Sequence, residues 1–151
     1  PGVAIIGGGP AGLMAAEVAR RAGVDVDLFD AKASVGRKFL IAGRGGLNLT
    51  HGDPRPRFEQ HYSRGGTEVA RWLDAFDGAQ LRAWALELGV DTFVGTSGRV
   101  FPTDMKAAPL LRAWVARLKQ DGVRLHMRQR WTGFDQDGRA VVEGPDGPRP
   151  L

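Results

Sequence analysis

Cysteine is absent from this 151-residue chain. That rules out disulfides, thiolate metal sites, redox-active cysteine pairs and a cofactor tethered through cysteine within it. Long apolar runs are absent too. No stretch approaches the ~18 residues that a membrane-spanning helix needs, so no membrane partner is expected. The first apolar stretch is short, glycine-rich and without a basic flank, unlike a secretory signal, and a cytoplasmic location is the default expectation. There are only three histidines, and they show no metal-ligand spacing. Ser63 and Ser97 have no nucleophile context. With 42% hydrophobic and 25% charged residues, the chain is otherwise ordinary for one globular domain with a core of its own.

The formal net charge is +4, and its source is local. Residues 36–57 hold five cations, Arg37, Lys38, Arg44, Arg55 and Arg57, against the single anion Asp53. Elsewhere the signs cancel. A high pI alone points weakly to nucleic acid. No nucleic-acid motif accompanies the charge, and the surplus sits in a glycine-rich stretch. A small phosphate-bearing ligand is the better expectation.

Val3 to Ile6 is a short continuous apolar run, as in a strand buried on both faces. Gly7 to Gly12 follow as a turn. Ala11, Ala15, Val18 and Ala22 then recur at helical spacing, and Gly23 ends that helix. Val24, Val26 and Leu28 alternate as a second strand ending at Phe29-Asp30, completing a β-α-β unit. Asp25 and Asp27 place this strand toward a sheet margin. A glycine-rich stretch runs on to His51, and residues 53–57 read as a Pro/Arg-rich loop. Val69, Trp72, Leu73 and Phe76 mark one helix face. Leu81, Trp84, Ala85 and Leu88 mark a second, and Leu110, Leu111, Trp114, Val115 and Leu118 a third. The three tryptophans are expected in a core or a domain interface. Short strands are expected at 90–94, 99–101 and 123–127, and a hairpin at 131–134 and 140–142. The tail from Gly144 is turn-rich and has no recognisable element.

Gly7-x-Gly9-x-x-Gly12 lies between a strand and a helix, where each glycine has a purpose. Gly7 permits the tight turn, Gly9 lets backbone approach a pyrophosphate, and Gly12 lets helix and strand pack closely. Pro10 and Ala11 open the helix, whose free N–H groups and partial positive charge suit phosphate. Asp30, at the end of the second strand, is placed to accept hydrogen bonds from ribose hydroxyls. The motif does not separate FAD from NAD. Asp30 disfavours the 2′-phosphate of NADP, because two anions would face each other.

The stretch Gly36-Arg37-Lys38-Phe39-Leu40-Ile41-Ala42-Gly43-Arg44-Gly45-Gly46-Leu47-Asn48-Leu49-Thr50-His51 is the unusual segment. Gly43, Gly45 and Gly46 can let backbone lie against a ligand. Arg37, Lys38 and Arg44 can neutralise pyrophosphate charge. Asn48 and Thr50 can hydrogen-bond ligand hydroxyls or ring edges. The alternative is a flexible glycine loop with solvated arginines. For His51, a place beside the ligand and an exposed loop position are equal readings.

The spacing of Gly7, Gly9, Gly12, Ala16, Gly23 and Asp30 resembles the glutathione-reductase-type FAD-binding superfamily, which usually has Glu in the last place. The stretch from Gly36 resembles the GRKxLxxGxGxxNxT pattern of a narrower group. These are the BaiN/RdsA-type, or aminoacetone oxidase family, NAD(P)/FAD-dependent oxidoreductases. Gly98 to Thr103, with Lys106-Ala107, is similar to a third segment of that family. The resemblance implies FAD, a parallel Rossmann-type core and an inserted second domain, with NAD(P)H as a possible electron donor.

The expected fold is therefore α/β: a Rossmann-like FAD-binding domain with a parallel sheet core, helices and a β-hairpin. Its parts would be the β-α-β unit and glycine-rich stretch over 1–52, helices over 67–120, and a strand and hairpin over 123–143. The family's later Ala-Thr-Gly-type turn and Gly-Asp motif are missing, so the chain reads as truncated, its partner being the missing C-terminal region of the same protein. The expected function is the FAD-binding portion of a flavin-dependent oxidoreductase. The alternatives are an NAD-dependent dehydrogenase and a non-catalytic nucleotide-binding module. No catalytic residue and no substrate can be named from the sequence.

Overall fold

The computed structural model describes residues 2–62 and 66–151; Ser63 lies outside them. In chain order the elements are β1 (Gly2–Ile6), α1 (Pro10–Arg21), β2 (Asp25–Asp30), α2 (Arg37–Ala42), β3 (Thr50–His51), α3 (Arg55–Glu59), α4 (Gly66–Ala75), α5 (Gly78–Glu87), β4 (Thr92–Val94), β5 (Arg99–Pro102), α6 (Ala107–Gln120), β6 (Arg124–Met127), β7 (Arg130–Phe134), β8 (Ala140–Gly144) and β9 (Gly147–Pro150). The fold is α/β and Rossmann-like. The chain divides into two units: Pro1–Ile41 joined with Trp114–Leu151, and Ala42–Ala113 inserted between those segments.

In the first unit β1, β2 and β6 form a parallel sheet in the order β1-β2-β6. This reverses two expectations. The second strand is central rather than marginal, and the first, read as buried on both faces, is largely exposed, with Val3 38% and Ile6 45% accessible. The acids do not drive β2 to the edge because they find partners. Arg124 donates to both oxygens of Asp27 at 2.8 and 2.6 Å, and His126 contacts Oδ1 at 2.7 Å. Asp25 pairs with Arg20 at 3.0 Å.

Helix α1 packs on β1 and β2. Its buried residues are Leu13, Ala16 and Glu17, set over the fully buried Val26 and Leu28. Burial of each large aliphatic side chain contributes roughly 1.5–3 kcal/mol. The stripe of Ala11, Ala15, Val18 and Ala22 faces outward instead, with Val18 60% exposed. The helix closes as read, at Gly23. With φ +80°, its N–H bonds to Arg20 C=O while Val24 N–H bonds to Ala19 C=O, a Schellman ending. On the sheet's other face Phe29 stacks on His126 at 4.6 Å, and Arg149 lies over the Phe29 ring.

The hairpin forms from β7 and β8. The tail does hold an element: β9 pairs antiparallel with β8 through the turn at Gly144–Gly147. Pro148 and Pro150 are tolerated there because β9 is the edge strand, where a missing N–H costs no ladder bond.

In the second unit β3, β5 and β4 form an antiparallel sheet with β5 central. Residues 53–57 are not all loop. Proline is tolerated in the first helical turn, so α3 starts behind Pro54 and contains Pro56. Helix α5 opens with a reciprocal cap: Asp77 accepts from Gln80 N–H at 2.8 Å, and the Gln80 side chain accepts from Asp77 N–H at 2.7 Å. Trp84 and Trp114 are buried as expected, but Trp72 on α4 is 68% exposed. That helix buries none of its residues.

Candidate functional site: the glycine turn and its carboxylate

The turn between β1 and α1 is assembled in the first unit. Gly7 has φ +102°, a conformation glycine adopts at little cost, and its N–H bonds to Phe29 C=O at 2.8 Å. A Cβ on Gly12 would lie 1.9 Å from the Gly7 carbonyl oxygen, so only glycine fits where helix and turn meet. A Cβ on Gly9 would meet nothing within 4 Å. The space before α1 is open.

Gly9 is the N-cap of α1 and has no side chain to cap with, and Pro10 follows. Leu13 N–H is the first bound within the helix, to Gly9 C=O. The N–H groups of Ala11 and Gly12 ahead of it therefore have no intrahelical acceptor. Two free donors at the positive end of a twelve-residue helix form a site suited to an anion.

Asp30 reaches this turn. Its Oδ2 accepts the Gly8 N–H and its Oδ1 the Lys32 N–H, each at 2.7 Å. The sequence motif left Gly8 as a variable position. It is buried, and a Cβ there would come within 2.4 Å of Val35 Cγ1. Gly8 C=O in turn accepts Gly36 N–H at 2.7 Å, which brings the start of α2 to the turn. Arg37 and Lys38, next in line, are both exposed.

The stretch read as a glycine-rich loop is more regular than expected. Leu40 N–H bonds to Gly36 C=O, α2 follows, and residues Gly43–Gly45 make a 3-10 turn. Within the second unit Gly43 and Gly46 have internal reasons to be glycine. A Cβ on Gly43 would lie 2.5 Å from Ala107 Cβ, and one on Gly46, where φ is +115°, 2.6 Å from Met105 Cε. Gly45 has open space. Arg44 and Asn48 are exposed and Thr50 is half-buried at the start of β3.

Two clusters had no signal in the sequence reading. Glu17 is 1% exposed and takes Trp114 Nε1–H at 2.6 Å, with Arg21 at 2.7 Å and Arg117 at 3.0 Å. It fastens α1 to Trp114 and Arg117 of α6. In the second unit Asp53 is surrounded by His51, His61 and Arg57. The hydrogen bond from His61, reinforced by Arg57 and His51, holds its carboxyl below the usual carboxylate range. Only proximity in sequence across α3 could have suggested this. Among the described residues no group of three or more His, Asp or Glu is placed to hold a metal ion. No helix among them is long and apolar enough to cross a membrane.

A family model, the HI0933-like protein Rossmann domain, matches residues 1–146. The chain belongs to that family. No curated protein matches the sequence. Among solved structures, this HI0933-like domain is similar to the 3-ketosteroid-Δ4-(5α)-dehydrogenase of Rhodococcus jostii RHA1. The identity is 17% and the TM-score 0.69, covering 96% of this chain and 42% of that one. THI4 of Thermovibrio ammonificans is similar at 18% identity and TM-score 0.60, over 99% and 53% of the two chains. The p-nitrophenol 4-monooxygenase PnpA of Pseudomonas putida DLL-E4 is similar at 16% and 0.54, over 98% and 38%. At these identities the likeness establishes the fold. The HI0933-like chain spans about half or less of each of these proteins.

Proposed function

We propose that this HI0933-like domain is the FAD-binding portion of a flavin-dependent oxidoreductase of the BaiN/RdsA, or aminoacetone oxidase, type, with NAD(P)H as electron donor. The observation that carries the reading is the turn itself. Glycine is obligatory at Gly12, open space lies at Gly9, and free N–H groups head a helix whose cap has no side chain. That is the arrangement a dinucleotide pyrophosphate requires. Two of the similar structures are a dehydrogenase and a monooxygenase, which supports redox chemistry.

In this reading Gly7 shapes the turn, and Gly9, Ala11 and Gly12 present backbone to the pyrophosphate. Pro10 presets the first helical residue without adding a donor of its own. Asp30 spends one lone pair of each oxygen on backbone. Its remaining lone pairs are the acceptors for ribose hydroxyls. Arg37 and Lys38 balance phosphate charge. Gly43, Arg44, Gly45, Gly46, Asn48 and Thr50 are assigned to the same cofactor on the family pattern of their segment. Bound there, the flavin would supply hydride and electron transfer. The substrate-facing part of the enzyme, and with it the substrate, is assigned to the C-terminal region of the protein outside these residues.

Calorimetric titration with FAD and with NAD tests the reading. FAD should bind far more tightly, because the 36–50 segment has a second half of the ligand to contact. A preference for NAD would transfer the reading to a dehydrogenase. Failure of both would leave a nucleotide-binding fold without a dinucleotide.

A further inference from the structure

We propose that His51 is a proton-operated latch in the second unit: on taking up one proton it exchanges a hydrogen bond from the backbone N–H of Asp53 for one to the carboxylate of the same residue. The proposal uses only residues of that unit and does not depend on the cofactor reading.

One side of the ring is fixed. His51 Nε2 lies 3.1 Å from the Ser97 carbonyl oxygen. A carbonyl only accepts, so Nε2 carries a hydrogen whether the ring is neutral or charged. The ring also fills the space over Gly98, where φ is +78° and a Cβ would come within 2.4 Å of it. Gly52 N–H bonds to Gly98 C=O at 2.7 Å and holds the same turn against the end of β3. A flipped ring or the other tautomer would forfeit the Ser97 bond.

The other nitrogen has two partners and can serve one. Nδ1 lies 3.2 Å from Asp53 N and 3.1 Å from Asp53 Oδ2. Unprotonated, it accepts the N–H while its lone pair faces the carboxylate, an unfavourable contact. Protonated, it donates to Oδ2 and can no longer accept. Both partners are already in reach, so the exchange needs a proton and no turning of the ring. The Asp53 carboxyl is held below the usual carboxylate range by the His61 hydrogen bond first, then by Arg57 and His51, against the opposing effect of burial. It is therefore ionised wherever a histidine titrates.

The charges near the ring come from each neighbouring element. Across the β3–β5 ladder His51 pairs with Arg99. Asp53 Oδ2 also meets His61 Nε2 at 3.1 Å, and Arg57 of α3 lies 3.5 Å from Oδ1. Arg55, Asp77 and Arg82 border the same cavity as His51, but each is engaged elsewhere. Arg55 pairs with Glu59 and Asp74, Asp77 caps α5, and Arg82 bonds Thr92. The carboxylate that answers a proton on His51 is thus that of Asp53. In the basic form the chain after β3 is held through the backbone of Asp53. In the acid form it is held through the side chain, which Arg57 and His61 share. The latch makes the junction between β3 and α3 sensitive to mild acid.

The test is a titration of the whole chain from about pH 8 to about pH 5, the interval in which histidines change charge. NMR follows the ring nitrogens of His51 and the amide of Asp53. Nε2 should stay protonated throughout, and Nδ1 should gain its hydrogen as the pH falls. The Asp53 amide should shift with the same midpoint, and its protection against exchange should drop about tenfold, the scale of one lost hydrogen bond. His61→Gln should leave this coupled step in place. A hydrogen on Nδ1 at the basic end, a ring that keeps one state across the interval, or an Asp53 amide unmoved while His51 titrates would overturn the proposal. So would a step that vanishes in His61→Gln. All but the last are read on the unaltered protein, so they stand even if the variant does not fold.

Discussion

Asp30 Oδ2 accepts the backbone N–H of Gly8 at 2.7 Å, across 22 residues of chain. The carboxylate that the sequence marks as a ligand for ribose is therefore also a fastener of the turn that would hold the phosphates. Asp30→Ala leaves the buried Gly8 N–H without its acceptor. It should cost about 1–3 kcal/mol of stability, read as a lower urea midpoint. FAD affinity should fall by a further amount of the same order, about 1–3 kcal/mol, if the free lone pairs contact ribose. A loss of stability with unchanged FAD affinity would restrict Asp30 to the fastening role.

Gly9 and Gly12 separate fold from ligand. Gly12→Ala drives a Cβ into the Gly7 carbonyl oxygen and should destabilise the chain by roughly 1–3 kcal/mol or more. Gly9 has φ −79° and open space around it, so Gly9→Ala should leave the urea midpoint nearly unchanged. The added methyl would nevertheless stand where the pyrophosphate must approach, and FAD binding should drop at least tenfold, the scale of one lost backbone contact. Unaltered FAD binding in Gly9→Ala would place the ligand elsewhere.

Acid sensitivity should trace largely to Asp27. The Arg124 hydrogen bonds hold its carboxyl far below the ordinary range, with His126 adding to the effect and partial burial opposing it. The folded value lies below the unfolded value of ~3.9. The stabilisation is therefore complete above about pH 4 and is lost as pH falls through the lower, folded value. Asp27→Asn should be less stable than the parent at pH 6, and the gap should narrow toward pH 2.5. Asp53 and Asp135 are also held low, so some acid slope should survive. A gap independent of pH would refute the assignment.

The β-α-β unit and its turn were legible because their causes are local. Gly7, Gly12 and Gly23 each answer a constraint within a few residues, and a short apolar run names a strand. The position of β2 was not legible. Asp25 and Asp27 look like marginal-strand residues until Arg20 pairs with the first, and Arg124 and His126 arrive from almost a hundred positions away to pair with the second. The buried Glu17 was hidden for the same reason: its partners Trp114 and Arg117 belong to a distant helix. The apolar spacing on α1 named the helix but not its buried face, because alanine and valine can face water and spacing alone did not single out Leu13 and Ala16. The last strand was obscured by its prolines, which read as turn until the edge position is known. In the glycine-rich stretch, composition pointed to a loop, but the run from Phe39 to Ala42 has no breaker and closes a helical turn onto Gly36.

The first unit is discontinuous, with the whole of Ala42–Ala113 lying between its two segments. That sets an order of assembly. The inserted unit is one uninterrupted stretch, so its sheet can close as soon as that stretch is available. Strand β2 must wait for β6, and α1 for Trp114, across loops whose closure entropy has to be met before any of those contacts form. Pulse-labelled hydrogen exchange during refolding should find amides of β5 protected before those of β2. The glycine turn, held in place by the later unit, would be among the last parts of the molecule to take its working shape.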